Sequence, residues 1–196
     1  SVIPHGISEI LDNEKKKEFF INEKRKIIFF SRLHKKKGLD ELLEIWSNLK
    51  PVNWELHIYG PDYENYKKKI IKFQSECSSI KYFGPVFNEK EKLKLFQIYD
   101  AMILPTKSEN FGFVILEALR SGLPVITTKF TPWENIKNYD AGWVYDGSKE
   151  ELKHTLKNIF ILDKHTFCSK SENAKKLFQN YKWKNIINGY LKLYEI

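Results

Sequence analysis

Two stretches of this 196-residue chain gather residue types that suit a phosphate-bearing ligand. One is Ser31-Arg32-Leu33-His34-Lys35-Lys36-Lys37-Gly38. The other is SENFGFVILEALRSGLP, from Ser108 to Pro124. Arg32 offers a planar fork that can hold two phosphate oxygens at once. Lys37 offers a mobile point charge, and Gly38 lets backbone come close. Gly112 is expected to open a helix N-terminus, where backbone N–H groups and the helix dipole make an anion site. Glu109 and Glu117 flank that glycine. A carboxylate only accepts hydrogen bonds and can take two neighbouring hydroxyls together. Glu117, more than one turn into the helix, is placed to reach a ribose. Glu109, in the loop before it, is placed to meet a sugar on the other side of the phosphates. A diphosphate between two polyols describes a nucleotide sugar. Singly, each residue has a plainer reading: a solvated helix glutamate, or surface charge. The conjunction of two cations after one strand and acid–Gly–acid after another carries the reading. Val114, Ile115, Leu116 and Leu119 between the acids read as core.

The elements that must position these residues follow from periodicity. Short β-branched or aromatic runs alternate with amphipathic stretches. Strands are expected at Lys26–Ser31, Trp54–Gly60, in SIKYFG ending at Gly84, at Ala101–Pro105, Pro124–Thr128 and Gly142–Tyr145. Helices are expected near Leu39–Leu49, Glu64–Cys77, from Asn88 to about Tyr99, across Val114–Leu119, near Pro132–Asn138 and Lys149–Phe160. Two more helical patterns, broken near Tyr181–Lys182, close the chain. Asn88 with Glu91, and Ser148 with Glu151, have capping-box spacing. Strict β/α alternation predicts an α/β fold, a Rossmann-like doubly wound parallel sheet of about six strands with helices on both faces. No internal repeat, low-complexity segment or linker divides it, so residues 1–196 read as one domain. Ligands of such sheets bind beyond the carboxyl ends of the strands. Both candidate stretches lie there, with Gly84-Pro85-Val86 after the third strand.

Composition narrows the classes. Charged residues make up 30% and hydrophobic ones 42%, ordinary for a globular domain of this size. No apolar run reaches the roughly 20 residues of a membrane span. Two distant cysteines argue against a disulfide framework and for a reducing cytosol. The five histidines have no metal-ligand spacing, so no metal site is expected. The net charge of +8 comes mostly from lysines scattered over helix faces, a pattern of solvation rather than of a nucleic-acid surface. The only methionine is Met102, so a fragment of a longer protein is expected.

These residues also carry a family resemblance, spanning nearly the whole chain. SRLHKKKGLDELLEIW resembles the G-R-L…K-G signature of the family four (group one) retaining glycosyltransferases. SENFGFVILEALRSGLPVITT resembles their E-x7-E signature, with Glu109 and Glu117 at the matching separation. VIPHGI resembles the segment joining that family's two domains. TPWENI and AGWVYD resemble segments of its bacterial surface-polysaccharide branch. The resemblance implies the second, donor-binding half of a two-domain GT-B fold. It implies a glycosyltransferase moving a sugar from a nucleotide-diphosphate sugar (UDP, GDP or ADP type) to a glycan or lipid-linked acceptor with retention. That activity belongs to capsule, lipopolysaccharide or exopolysaccharide synthesis, needs neither metal nor cofactor, and is cytoplasmic, with contact at the inner face of the membrane left open. Arg32 and Lys37 would contact the diphosphate and Glu109 the sugar hydroxyls, the three with catalytic roles. Asn110, Phe111, Gly112 and Phe113 would lie along the sugar and phosphates, and Glu117 would take the ribose. The loop at Gly84–Val86 would border the base. Residues 182–196 would form a closing helix that crosses to an N-terminal acceptor domain, with Trp183, Ile186, Ile187, Tyr190 and Leu191 as its apolar face. Without that domain the chain is expected to bind donor and not to transfer it. Ser31, His5 and Phe130 depart from the family pattern. The alternatives are half of a nucleotide-sugar epimerase or phosphorylase, and a non-catalytic nucleotide-binding module.

Overall fold

The computed structural model describes Phe19 and residues 24–63 and 65–194. VIPHGI, His5 and Glu64 lie outside the described residues, as does the side chain of Tyr190. Six strands form one parallel sheet: β1 (Arg25–Phe30), β2 (Trp54–Tyr59), β3 (Ile80–Gly84), β4 (Ala101–Leu104), β5 (Val125–Thr128) and β6 (Gly142–Tyr145). Their spatial order is β3-β2-β1-β4-β5-β6. The chain winds outward from β1 to one edge, crosses back, and winds to the other. β1 and β4 are therefore neighbours at the point where the strand order reverses, and in sheets of this kind ligands bind beyond the carboxyl ends of the strands there.

The helices are α1 (Leu39–Leu49), α2 (Tyr66–Glu76), α3 (Glu89–Ile98), α4 (Phe113–Arg120), α5 (Asn135–Asn138), α6 (Lys149–Phe160), α7 (Lys164–Gln179) and α8 (Trp183–Tyr194). α1 packs against α2 and α6, while α4 and α5 pack against α7. The expected doubly wound sheet is thus present. IIFF of β1 and AMIL of β4 read as continuous apolar runs because helices cover both faces, whereas β2 alternates apolar residues with the buried Glu55 and His57. Ile27, Ile28, Phe29, Leu56, Ile58, Met102, Ile103, Val125 and Ile126 are all fully buried.

Local signals set most boundaries. Asn88 Oδ1 accepts from the Glu91 N–H at 3.2 Å and so starts α3. Ser148 Oγ accepts from the Glu151 N–H at 3.2 Å and starts α6. The helix expected near Pro132–Asn138 is shorter. Its first residues form a turn, with the Ile136 N–H on the Trp133 carbonyl at 3.0 Å, and regular helix covers only Asn135–Asn138. Pro132 has no N–H to give, and the buried Trp133 indole fixes the turn by bonding back to the Phe111 carbonyl.

One buried polar network crosses the sheet face beside β2. The two ring nitrogens of His57 face Glu55 at 2.9 Å and the Tyr99 hydroxyl at 2.8 Å. Lys81 donates to Glu55 at 2.8 Å, and Tyr99 donates to the Tyr59 hydroxyl at 3.1 Å. Burial pushes the His57 imidazole below its ordinary 6.5, against the pull of Glu55. The unfolded chain therefore takes up a proton that the native state resists, and stability falls as pH drops below about 6.5. His57→Gln is expected to flatten that part of the slope in melting temperature measured from about pH 7.5 to about pH 5.5.

Candidate functional site

The loops after β1 and β4 are stitched together by backbone and side-chain hydrogen bonds. The Lys107 N–H donates to the Lys36 carbonyl at 2.8 Å, and Thr106 Oγ1 donates to the same carbonyl at 3.1 Å. Thr128 Oγ1 donates to the Thr106 carbonyl at 2.6 Å, which ties β5 into the arrangement. After β1 the chain makes a 3₁₀ turn at Lys35–Lys37 and enters α1 through Gly38, in the left-handed region at φ 72°. A Cβ on Gly38 would stand 1.9 Å from the Pro105 carbonyl oxygen. Only glycine lets these two loops come so close.

Arg32 is exposed on this rim, and among the described residues its side chain has no hydrogen-bond or ion-pair partner. Lys37 differs from the mobile point charge expected of it. It is largely buried, and its Nζ lies 2.5 Å from Glu109 Oε2. The structure thus joins one residue from each candidate stretch in an ion pair. The reason is topological: parallel β1 and β4 put residues 72 apart in sequence side by side.

Gly112 is the N-cap of α4, with φ 78° and no side-chain cap bond. A Cβ there would lie 3.1 Å from Glu109 Cγ, 3.3 Å from Ile115 Cδ1 and 3.4 Å from Trp133 Nε1. Any side chain would crowd the approach to the helix N-terminus. Asn110 is exposed, Phe111 is partly buried, and Phe113 is half-exposed against it at 5.0 Å between ring centroids. Glu117 lies one turn into α4, largely buried, with Oε1 2.5 Å from Lys92 Nζ of α3. It is therefore not a solvated helix residue. Gly84 ends β3 in the left-handed region at φ 84°, and Val86 packs partly on the core.

The structure thus places Arg32, Lys37, Glu109, Asn110, Phe111, Gly112 and Phe113 on the loops or helix start after β1 and β4, with Glu117 further along α4. Gly84 ends β3 and Val86 follows it, two strands from β1 along the same rim. Sequence reasoning missed three contributors. Lys92 holds Glu117, Thr106 joins the loops, and Trp133 holds the Phe111 carbonyl. Trp133 sits in the TPWENI segment, which the resemblance marked but gave no role. Lys92 had a weaker signal: it follows the Asn88 cap by one helical turn.

Among the described residues no three His, Cys, Asp or Glu side chains gather as a metal site requires. Among them, too, no helix is long and apolar enough to cross a membrane.

Comparison with known proteins agrees with this architecture. The chain is 28% identical over 177 residues to an uncharacterized 41.2 kDa protein in the cps region of Klebsiella pneumoniae, covering 88% of this chain and 47% of that one. It superposes on WaaG, a glycosyltransferase involved in lipopolysaccharide biosynthesis, with TM-score 0.74 and 20% identity, covering 98% of this chain and 55% of the other. It also superposes on the C-terminal domain of a group 1 glycosyl transferase (LpcC) from Francisella tularensis. That match has TM-score 0.70 and 22% identity, covering 85% of this chain and 96% of the other. The structural neighbours are GT-B glycosyltransferases. The chain spans about half the length of the curated relatives it matches. The family model for glycosyl transferases group 1 matches residues 11–187, and the chain belongs to that family.

Proposed function

We propose that this chain is the donor-binding domain of a retaining glycosyltransferase and holds a nucleotide-diphosphate sugar on the rim beyond β1 and β4. The observation that carries the reading is the convergence on one rim of the exposed Arg32, the Lys37–Glu109 pair and the α4 N-terminus behind Gly112. Arg32 and Lys37 meet the diphosphate with charge, and the α4 N-terminus adds backbone donors. Charge on the leaving group is thereby met by protein cations, and the reading assigns no metal or cofactor. Glu109 accepts from hydroxyls of the sugar, Glu117 from the ribose, and the loop at Gly84–Val86 borders the base.

In the whole protein the acceptor site belongs to a preceding domain, and α8 leads back toward it. Trp183, Ile187 and Leu191 of α8 are exposed, as a helix covered by another domain would require, whereas Ile186 is buried. During transfer the bond from the sugar carbon to the phosphate oxygen breaks. A bond from the same carbon to the acceptor oxygen forms on the same face, and the acceptor proton passes to the departing phosphate. Stabilising negative charge on that phosphate is the task of Arg32 and Lys37, and it lowers the barrier by acting where charge develops. The likeness to the cps-region protein and to WaaG supports a place in bacterial surface-polysaccharide synthesis, in the cytoplasm, with a glycan or lipid-linked acceptor.

A thermal-shift panel tests the reading. UDP, GDP and ADP, each with and without a hexose, are added to the chain. One base series is expected to raise the melting temperature progressively with concentration. A flat response to all of them would overturn donor binding.

A further inference from the structure

The two acids of the site differ in how they are held. Glu109 pairs with a cation already assigned to the diphosphate. Glu117 pairs with Lys92, a residue of α3 that no phosphate role explains. The Lys92 Nζ–Glu117 Oε1 distance is 2.5 Å, with side-chain exposures of 18% and 15%. α3 begins directly after the loop at Gly84–Val86, and the Lys92 N–H closes its first turn on the Asn88 carbonyl at 3.0 Å. A second pair, Arg120 Nη2 to Glu89 Oε1 at 3.1 Å, fixes the same turn of α3 against α4. The base loop, the first turn of α3 and Glu117 are thus one connected wall.

We propose that Lys92 is a positioning residue that aims Glu117 at the ribose diol and so sets the discrimination between ribo- and deoxyribonucleotides. This rests on the nucleotide-sugar reading above. A free glutamate turns about three bonds, and a diol is recognised only when the carboxylate presents its oxygens in one orientation. Lys92 bonds Oε1 and so restricts the orientation of the carboxylate. Two of the three ammonium donors also remain beyond the bond to Glu117. A pair that served only to join α3 to α4 would change melting temperature and not selectivity for a hydroxyl.

The experiment is calorimetry on this chain with UDP, GDP and ADP, followed by the 2′-deoxy form of whichever binds. Wild type is expected to favour the ribonucleotide by about tenfold or more. Lys92→Met is expected to reduce that ratio to about threefold or less, with the 2′-deoxy form, which keeps one hydroxyl of the diol, weakened less than the ribonucleotide. Lys92→Arg should keep the wild-type ratio. Glu117→Gln should collapse the ratio to the same level, and adding Lys92→Met to it should change nothing further. An unchanged ratio in Lys92→Met, or equal loss of both nucleotides, would overturn the role of Lys92 and leave the donor reading standing. If no nucleoside diphosphate binds wild type, the donor reading fails and takes this inference with it.

Discussion

Glu109→Gln is expected to separate two ligands of one site. Affinity for the nucleotide sugar should fall by about tenfold to a hundredfold, because one charge-assisted contact to the sugar hydroxyls, about 1.5–3 kcal/mol, is lost. Affinity for the bare nucleoside diphosphate should hold or rise. The cause is the 2.5 Å pair between Lys37 and Glu109. A diphosphate must share Lys37 with a carboxylate and accept that carboxylate as a neighbour of like charge. Glutamine removes the charge and leaves Lys37 to the phosphate. Lys37→Ala should weaken both ligands, and the double variant should bind the bare diphosphate better than Lys37→Ala does, since the unpaired carboxylate beside the phosphates is then gone. Titration calorimetry with both ligands reads all of this. Equal weakening of both ligands by Glu109→Gln would show that the acid stabilises the loop and does not read the sugar.

Gly38→Ala carries the largest expected cost in stability. The new Cβ would stand 1.9 Å from a backbone oxygen, at φ 72°. Neither side can yield cheaply. Pro105 leads into Thr106, whose side chain and neighbour both bond the Lys36 carbonyl. We expect a loss of about 3–5 kcal/mol, in the range reserved for backbone conflicts and buried defects, and about 6–20 °C in melting temperature. Gly84→Ala is the matched control. Its φ is 84°, but nothing lies within 4 Å of the added carbon, so only the left-handed strain of about 1–2 kcal/mol applies. Similar shifts in the two variants would contradict the close approach of the β1 and β4 loops.

Much of this was legible because the relevant physics is local. α1, β6 and α6 stand where periodicity and caps put them, and Ser148 starts α6 by a bond to a residue three further on. Arg32, Lys37, Glu109, Gly112 and Glu117 were legible as a set because the β/α alternation sends both loops to one rim. What the sequence hides is who holds whom. Lys37 with Glu109 and Lys92 with Glu117 are pairings across the switch point and between helices, and no spacing rule connects residue 37 to residue 109. The shortened α5 has the same origin. Trp133 is drawn into the core by Phe111 and Tyr181, with centroids at 5.3 Å and 4.8 Å, and that packing bends the segment its helical pattern suggested. Tertiary contacts decided these points, and they also decide which charges are free to meet a ligand.

The central claim is that a nucleoside diphosphate binds the rim beyond β1 and β4 through Arg32, a cation with no partner among the described residues. It is tested most directly by titrating wild type and Arg32→Ala with the same nucleoside diphosphate in a calorimeter. One-site binding to wild type, weakened by about tenfold to a hundredfold in the variant at unchanged melting temperature, is the expected result. Equal affinity in the two proteins would contradict it.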